Sequence, residues 1–356
     1  MLAGAAGAVG VAVAGAAAGA AVRMAQQRRN IRHRTVEEAG FGTLHSEPIT
    51  VVADDGLPLH VEVDEYGLPY PRRTLDSPPV TVVFVHGYTL TMDTWHFQRA
   101  AFRGLVRAVY YDQRSHGRSG RADGDSSTIE QLASDLVRVL EDVTHDEPVV
   151  LIGHSMGGMT VMELAKQRPE LFGTKVVGVG LVGTSAGGLD PARILFPILP
   201  AGLSSGVIGR VVGALSRGHR MVDRVRGVAD DVALVITDAF AFGDDVPESY
   251  LKFVYDMIDD TSFEVVAAFY PAFASLDLWD SLEPLSRVPT AIIAGTKDRL
   301  TSIEHARRLH ATIAGSDLLE CPGAGHLVPM ERQEEVNDEL ELLIDRAIDY
   351  VEREAS

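Results

Sequence analysis

From residue 48 onward the chain alternates between two hydrophobic patterns. One is short, continuous and β-branched, and it occurs at 80–85, 108–111, 149–152, 176–182 and 290–294, with a weaker version at 317–321. Such a run predicts a strand buried on both faces. Two earlier segments, 49–53 and 59–64, flank Asp54-Asp55-Gly56 and predict a hairpin through Asp-Gly turn chemistry. The second pattern repeats every three to four residues. Ile129, Leu132, Leu136, Val139 and Leu140 mark a helix over 129–140, and similar spacing predicts helices over 159–167, 303–313 and 336–351. Strands alternating with helices imply parallel pairing through right-handed crossovers. The expected fold class is therefore α/β: a mostly parallel eight-stranded sheet with helices on both faces, its antiparallel edge supplied by the hairpin.

The stretch 185–288 interrupts the alternation. It carries apolar helical segments around 207–215, 232–242 and 263–273 and no clear strand, which predicts a helical cap inserted between two sheet strands. The core then comprises 48–184 and 289–351. The segment 1–34 stands apart. Residues 1–22 lack any charged side chain and are mostly Ala, Gly and Val, a run as long as the ~20 residues needed to span a bilayer. Arg23, Arg28, Arg29, Arg32 and Arg34 follow, and by the positive-inside rule they place the remaining chain on the cytoplasmic side. A single membrane anchor is the expectation. An Ala/Gly tail on a soluble cytoplasmic protein and an export signal are the alternatives.

Composition narrows the function classes. The formal net charge of −18 disfavours nucleic acid and anionic lipid surfaces as partners of the main domain. A single cysteine, Cys321, excludes a disulfide framework and thiolate metal clusters.

The chemistry centres on Gly153-His154-Ser155-Met156-Gly157-Gly158, which follows the strand 149–152 and precedes a helical segment. A G-x-S-x-G between strand and helix holds serine on a sharp turn that exposes its hydroxyl. A serine hydroxyl needs a base to become nucleophilic, and chain order in this arrangement is serine, acid, histidine. Gly295-Thr296-Lys297-Asp298 follows the strand 290–294 and supplies Asp298 as the acid, with Asp277 and Asp280 as rivals. Gly323-Ala324-Gly325-His326 follows the last strand and supplies His326 as the base, chosen from 12 histidines. His154 adjoins the nucleophile and is expected to point elsewhere; His116 is expected to be structural. Val85-His86-Gly87-Tyr88 ends the first buried strand, so the backbone N–H groups of Tyr88 and Met156 are the expected oxyanion donors, with His86 bracing the loop.

Over residues 48–346 these pieces resemble the α/β-hydrolase superfamily, in its haloperoxidase, esterase and lipase-like branch. Asp112-Gln113-Arg114-Ser115-His116-Gly117-Arg118-Ser119 is similar to the D-x-R-G-x-G-x-S loop of that branch, with Ser115 where glycine is usual. Epoxide hydrolases and haloalkane dehalogenases of this fold use an aspartate where this chain has Ser155. The resemblance implies an enzyme without cofactor or metal, with a helical cap between the sixth and seventh strands. The expected activity is cleavage of a small-molecule carboxylic ester, including thioesters, through an acyl-enzyme on Ser155. A perhydrolase or haloperoxidase-like reaction and carbon–carbon bond hydrolysis use the same triad, and a non-catalytic membrane scaffold is the alternative outside enzymes. The aromatic residues Phe196, Phe240, Phe242, Phe253, Tyr255, Phe263, Phe269, Tyr270 and Phe273 fall in the insertion. Most are expected to pack it onto the sheet, and a minority to line an apolar acyl pocket.

Overall fold

The computed structural model describes residues 40–66, 80–189, 237–238 and 240–354. The anchor expected at 1–22, Phe196 and the helical segment expected at 207–215 lie outside them, as does most of that expected at 232–242. Among the described residues no helix is long and apolar enough to cross a membrane.

The eight strands among the described residues form one sheet. They are β1 (Pro48–Val52), β2 (Pro58–Asp64), β3 (Thr81–Val85), β4 (Arg107–Tyr111), β5 (Val149–His154), β6 (Val176–Val182), β7 (Thr290–Gly295) and β8 (Asp317–Cys321). Their spatial order is β1-β2-β4-β3-β5-β6-β7-β8. β2 pairs antiparallel with β1 and with β4, and every other pairing is parallel. Strand alternation divides the core into two layers. Val83, Val85, Val109 and Leu151 face one side, where they meet helices α2 (Ile129–Val139) and α3 (Met156–Gln167). Val82, Phe84, Val150 and Ile152 face the other, against α1 (His96–Phe102) and the last long helix.

Among the described residues three further helices precede that last one in the chain. α4 (Glu248–Asp260) and α5 (Phe263–Ser275) fall between β6 and β7, and α6 (Ile303–Thr312) follows β7. A single turn, Val328–Glu331, leads into the last helix, α7 (Gln333–Glu354).

α1 and α4 are additions to the sequence reading. α1 escapes a hydrophobic pattern because its inward face carries Gln98 and Arg99 beside Phe102. Gln98 donates to the Pro329 carbonyl at 3.0 Å, and Arg99 forms a two-pronged bond to Asp64 at 3.0 and 2.7 Å. Burial on this face is bought with paired charges rather than apolar surface. The segment before β1 is also tied down. Phe41 stacks on Phe253 of α4 at 4.7 Å, and Ser46 donates from its backbone to Glu62 at 2.8 Å.

The loop after β4 resolves the Ser115 departure. Ser115 adopts φ +67°, the left-handed region that glycine favours and therefore the conformation expected where glycine is usual. Its hydroxyl accepts the Ala122 N–H at 3.0 Å, and its own N–H donates to the Gly120 carbonyl at 2.9 Å. Beside it Arg114 is fully buried, bonded to both oxygens of Asp135 on α2 at 2.6 Å and to Asp55 of the β1–β2 turn at 2.8 Å. Removing one partner of a buried ion pair strands the other charge, at a cost of about 3–5 kcal/mol. Asp135→Ala leaves Arg114 only the half-exposed Asp55 and is therefore expected to lose up to about that much stability in urea denaturation. Ser115→Gly, which trades backbone strain for a lost hydrogen bond and a freer unfolded chain, should stay within about 1 kcal/mol of the parent.

Candidate active site

β5 ends in a turn so tight that Ser155 takes φ +52° and ψ −117°. A side-chain-bearing residue adopts positive φ only where its neighbours over-determine it. Here the Ser155 N–H donates to the Val182 carbonyl of β6 at 2.9 Å, and the Ser155 carbonyl accepts the Thr184 hydroxyl at 2.7 Å. α3 begins at the next residue, three positions earlier than the periodicity predicts. Gly157 belongs to that early turn because nothing else fits: an added Cβ would lie 2.1 Å from the Val85 carbonyl oxygen at the end of β3.

That contact brings the β3 loop to the serine. A Cβ on Gly87 would fall 3.2 Å from Ser155 Cβ, so the backbone of Gly87-Tyr88 runs directly beside the hydroxyl-bearing residue. Met156 opens α3, and the first N–H groups of a helix have no partner within it. His86 braces the loop as expected. Its Nε2 accepts the Gln113 N–H at 2.9 Å, which leaves Nδ1–H to donate to the Gly87 carbonyl at 2.7 Å. Burial lowers its pKa from the ordinary 6.5 to about 4, keeping it neutral for that role. The Tyr88 hydroxyl donates to the Val266 carbonyl of α5 at 2.7 Å, and its ring packs on Phe273.

Asp298 and His326, the expected acid and base, follow β7 and β8. His326 Nε2 lies 2.9 Å from Ser155 Oγ, and His326 Nδ1 lies 2.8 Å from Asp298 Oδ2. A carboxylate only accepts, so Nδ1 carries the proton and Nε2 offers its lone pair to the serine hydroxyl. Asp298 is immobilised further. Its Oδ1 accepts the N–H groups of Leu300 and Thr301 at 2.8 and 2.9 Å, and its Oδ2 accepts the Thr301 hydroxyl at 2.8 Å. Burial alone would raise this carboxyl. The imidazole of His326 and the Thr301 hydrogen bonds outweigh it and hold the acid below its ordinary range. The rival acids Asp277 and Asp280 are exposed, and it is Asp298 that bonds the histidine.

Three roles escaped the sequence reading, that of His154 among them, although its side chain was expected to point elsewhere. Thr301 completes a turn closed by Asp298, for which the Asp-x-x-Thr spacing is the signal. His154 points behind the serine, where Nε2–H donates to the His326 carbonyl at 3.0 Å. Burial lowers it to about 3, so it braces the histidine loop as a neutral ring. Glu331 accepts the Gly325 N–H at 2.6 Å, one residue before His326. Cys321, at the end of β8, is pushed by burial up to about 12 and is no nucleophile.

Ser155 and His326 open into a cavity of about 270 Å³. Its walls are Tyr88, Leu90 and Met159 from the core side, and Val254, Tyr255, Ile258, Val266 and Phe273 from α4 and α5. Phe240 and Ala241 also line it, as do Thr89, Thr237, Leu300, Thr301 and Leu327. Of the aromatic residues in the insertion, Phe240, Tyr255 and Phe273 thus face the cavity. Phe242 packs with Leu90 and Leu327, Phe253 on Phe41, and Phe269 beneath Tyr88.

A serine elbow after a central parallel strand, with histidine and carboxylate on the loops of the last two strands, is the architecture of an α/β hydrolase. The chain belongs to the alpha/beta hydrolase family, whose model matches residues 82–339. It is 28% identical over 270 residues to an uncharacterised protein of Mycobacterium tuberculosis, spanning 71% of this chain and 72% of the relative. A non-heme chloroperoxidase of Kitasatospora aureofaciens is 29% identical over 272 residues, spanning 74% of this chain and 91% of the relative. Among solved structures, an esterase from Exiguobacterium antarcticum aligns with TM-score 0.63 at 22% identity, covering 85% of this chain and 100% of that one.

The buried histidines predict how stability varies with pH. His86 falls to about 4, and His116 and His154 to about 3, all through burial, while the unfolded chain protonates near 6.5. The unfolded state therefore binds more protons below pH 6.5, and stability falls as pH drops from there toward 4. The slope reaches at most about 1.4 kcal/mol per pH unit for each histidine. Asp298 acts in a separate window: its contribution is lost only as pH falls through a pKa below 3.8. The Tm is expected to decline steadily from pH 7 to pH 5 in thermal melts, and a flat profile would contradict neutral burial of these rings.

Proposed function

We propose that this protein is a serine hydrolase that cleaves carboxylic esters through an acyl-enzyme on Ser155. The observation that carries the reading is the 2.9 Å contact between Ser155 Oγ and His326 Nε2 at the base of an apolar cavity. In the proposed cycle His326 removes the hydroxyl proton as Ser155 Oγ attacks the ester carbonyl carbon. Asp298 holds the imidazole in the right tautomer and stabilises the imidazolium. The carbonyl oxygen, now an oxyanion, is received by the N–H groups of Tyr88 and Met156. The tetrahedral intermediate collapses, the carbon–oxygen bond to the alcohol breaks, and His326 returns its proton to the leaving oxygen. Water, activated by the same histidine, then attacks the acyl-enzyme, releasing the acid and restoring the serine. No cofactor or metal has a part in these steps.

The cavity wall supports a neutral, apolar acyl group as substrate. In this reading the insertion acts as a cap, with α4 and α5 excluding water from the reacting carbonyl. The likeness to a chloroperoxidase favours one variation on the same acyl-enzyme, in which hydrogen peroxide replaces water and a peracid is released.

Two outcomes test the proposal. A fluorophosphonate probe is expected to label Ser155, and Ser155→Ala or His326→Ala to lower kcat by several orders of magnitude with the fold retained. Asp298→Asn should also be severe, because it favours the wrong imidazole tautomer. Near-normal turnover by Asp298→Asn would remove that residue from the mechanism. On p-nitrophenyl esters, each buried CH₂ contributes up to about 0.8 kcal/mol, so four added carbons can raise kcat/KM by about two orders of magnitude. A flat or falling series from acetate to octanoate would exclude an extended apolar acyl pocket and point to a small substrate or to the peroxide reaction.

A further inference from the structure

Glu331 closes the turn Val328–Glu331, five residues after His326, and faces a part of the molecule the proposed mechanism does not use. Its two oxygens serve different segments. Oε1 accepts the N–H of Gly325, the residue before His326, at 2.6 Å. Oε2 accepts the N–H groups of Gly243 and Asp244 at 2.9 and 3.1 Å. Gly243 and Asp244 continue the stretch whose Phe240 and Ala241 line the cavity. A single half-buried carboxylate thus fastens the histidine loop to the cavity's wall.

Neighbouring contacts reinforce the same junction. The Leu327 N–H donates to the Ala241 carbonyl at 2.8 Å. Asp244 is held by Lys297, the neighbour of Asp298, at 2.7 Å and by Arg332 at 2.5 Å. The loops carrying the acid, the base and the cavity wall therefore converge on Asp244 and Glu331. Burial raises the Glu331 carboxyl, opposed by the three N–H donors and by Arg332. A group kept at that cost in so specific a position does more than fill space.

We propose that Glu331 is a positioning residue that fixes His326 relative to the cavity wall, so that the wall and the base keep one alignment through the cycle. The proposal rests on the serine-hydrolase reading above. Its logic is geometric. Proton transfer between Ser155 Oγ and the leaving oxygen requires the imidazole at hydrogen-bond distance from both, and a misplacement of about 1 Å can cost about 100-fold in rate. Without Glu331 the Gly325 N–H loses its acceptor, and the loop's links to segment 241–244 are reduced to the Leu327–Ala241 bond and to Arg332, which bonds both Asp244 and the Pro322 carbonyl.

Glu331→Gln is the informative variant. It preserves volume but supplies one acceptor oxygen, so its NH₂ must oppose either Gly325 or the Gly243–Asp244 pair. Purified wild-type and variant proteins are compared by fluorophosphonate labelling rate, by kcat and KM on a p-nitrophenyl ester, by the pH profile of kcat/KM and by Tm. The expected result is label still on Ser155, kcat and labelling rate lowered about 10- to 100-fold, KM within about threefold, and a displaced acid limb of the pH profile. Unchanged kcat overturns the proposal, as does a lowered kcat accompanied by a lowered Tm and an unshifted pH profile. Wild-type protein that takes no label at Ser155 brings down the serine-hydrolase reading itself, a different result from a labelled wild type with a normal variant. Should Glu331→Gln not fold, Glu331→Ala with added formate replaces it. Recovery of kcat with formate supports a carboxylate role, and its absence overturns it.

Discussion

Everything at the candidate site depends on one strained residue. Ser155 holds φ at +52° because the strand before it and the helix after it leave no other path. Bonds from Val182 and Thr184 fix the turn from β6, and the glycine two residues on lets the helix press against the end of β3. The same pressure delivers the Gly87-Tyr88 backbone to the hydroxyl. Relaxing the turn would disperse the serine, the helix N-terminus and the β3 loop together. The strain, about 1–3 kcal/mol for such a conformation, is spread over a sheet whose central strands are buried on both faces.

Around that residue the electrostatics are arranged by exclusion. His86, His116 and His154 are buried deeply enough to stay neutral, and each bonds a backbone carbonyl. His326 alone among these four faces both the serine hydroxyl and a carboxylate. Asp298 stays charged despite burial because its oxygens have four hydrogen-bond partners. The division of labour follows from surroundings, since the side chains are chemically the same.

Much of this was legible in the sequence, for a physical reason. Strands buried on both faces must be apolar throughout, so β3 and β5–β7 announce themselves, and the loops after them carry Tyr88, Ser155 and Asp298, with His326 after the weaker β8. Legibility failed where burial is polar. α1 turns Gln98 and Arg99 inward, and their partners Asp64 and Pro329 are remote in sequence. α3 starts early because the elbow overrides the poor helix propensity of Gly157 and Gly158. His154 and Glu331 act on backbone atoms of distant loops, and backbone atoms leave no trace in residue identity. The insertion was half legible: its aromatic content suggested a cavity wall, but composition could not distinguish Phe240, Tyr255 and Phe273 from the residues that pack behind them.

Tyr88 gives the molecule an architectural economy with a cost. Its backbone stands beside Ser155 while its hydroxyl holds α5 by the Val266 carbonyl and its ring supports Phe273. One residue therefore belongs at once to the sheet that positions Ser155 and to the wall that shapes what enters. Variation that reshapes the cavity through α5 must either leave position 88 alone or disturb the loop beside Ser155. The α4 side offers no clean alternative, since Val254 and Ile258 pack in one cluster with Leu90 of the same β3 loop.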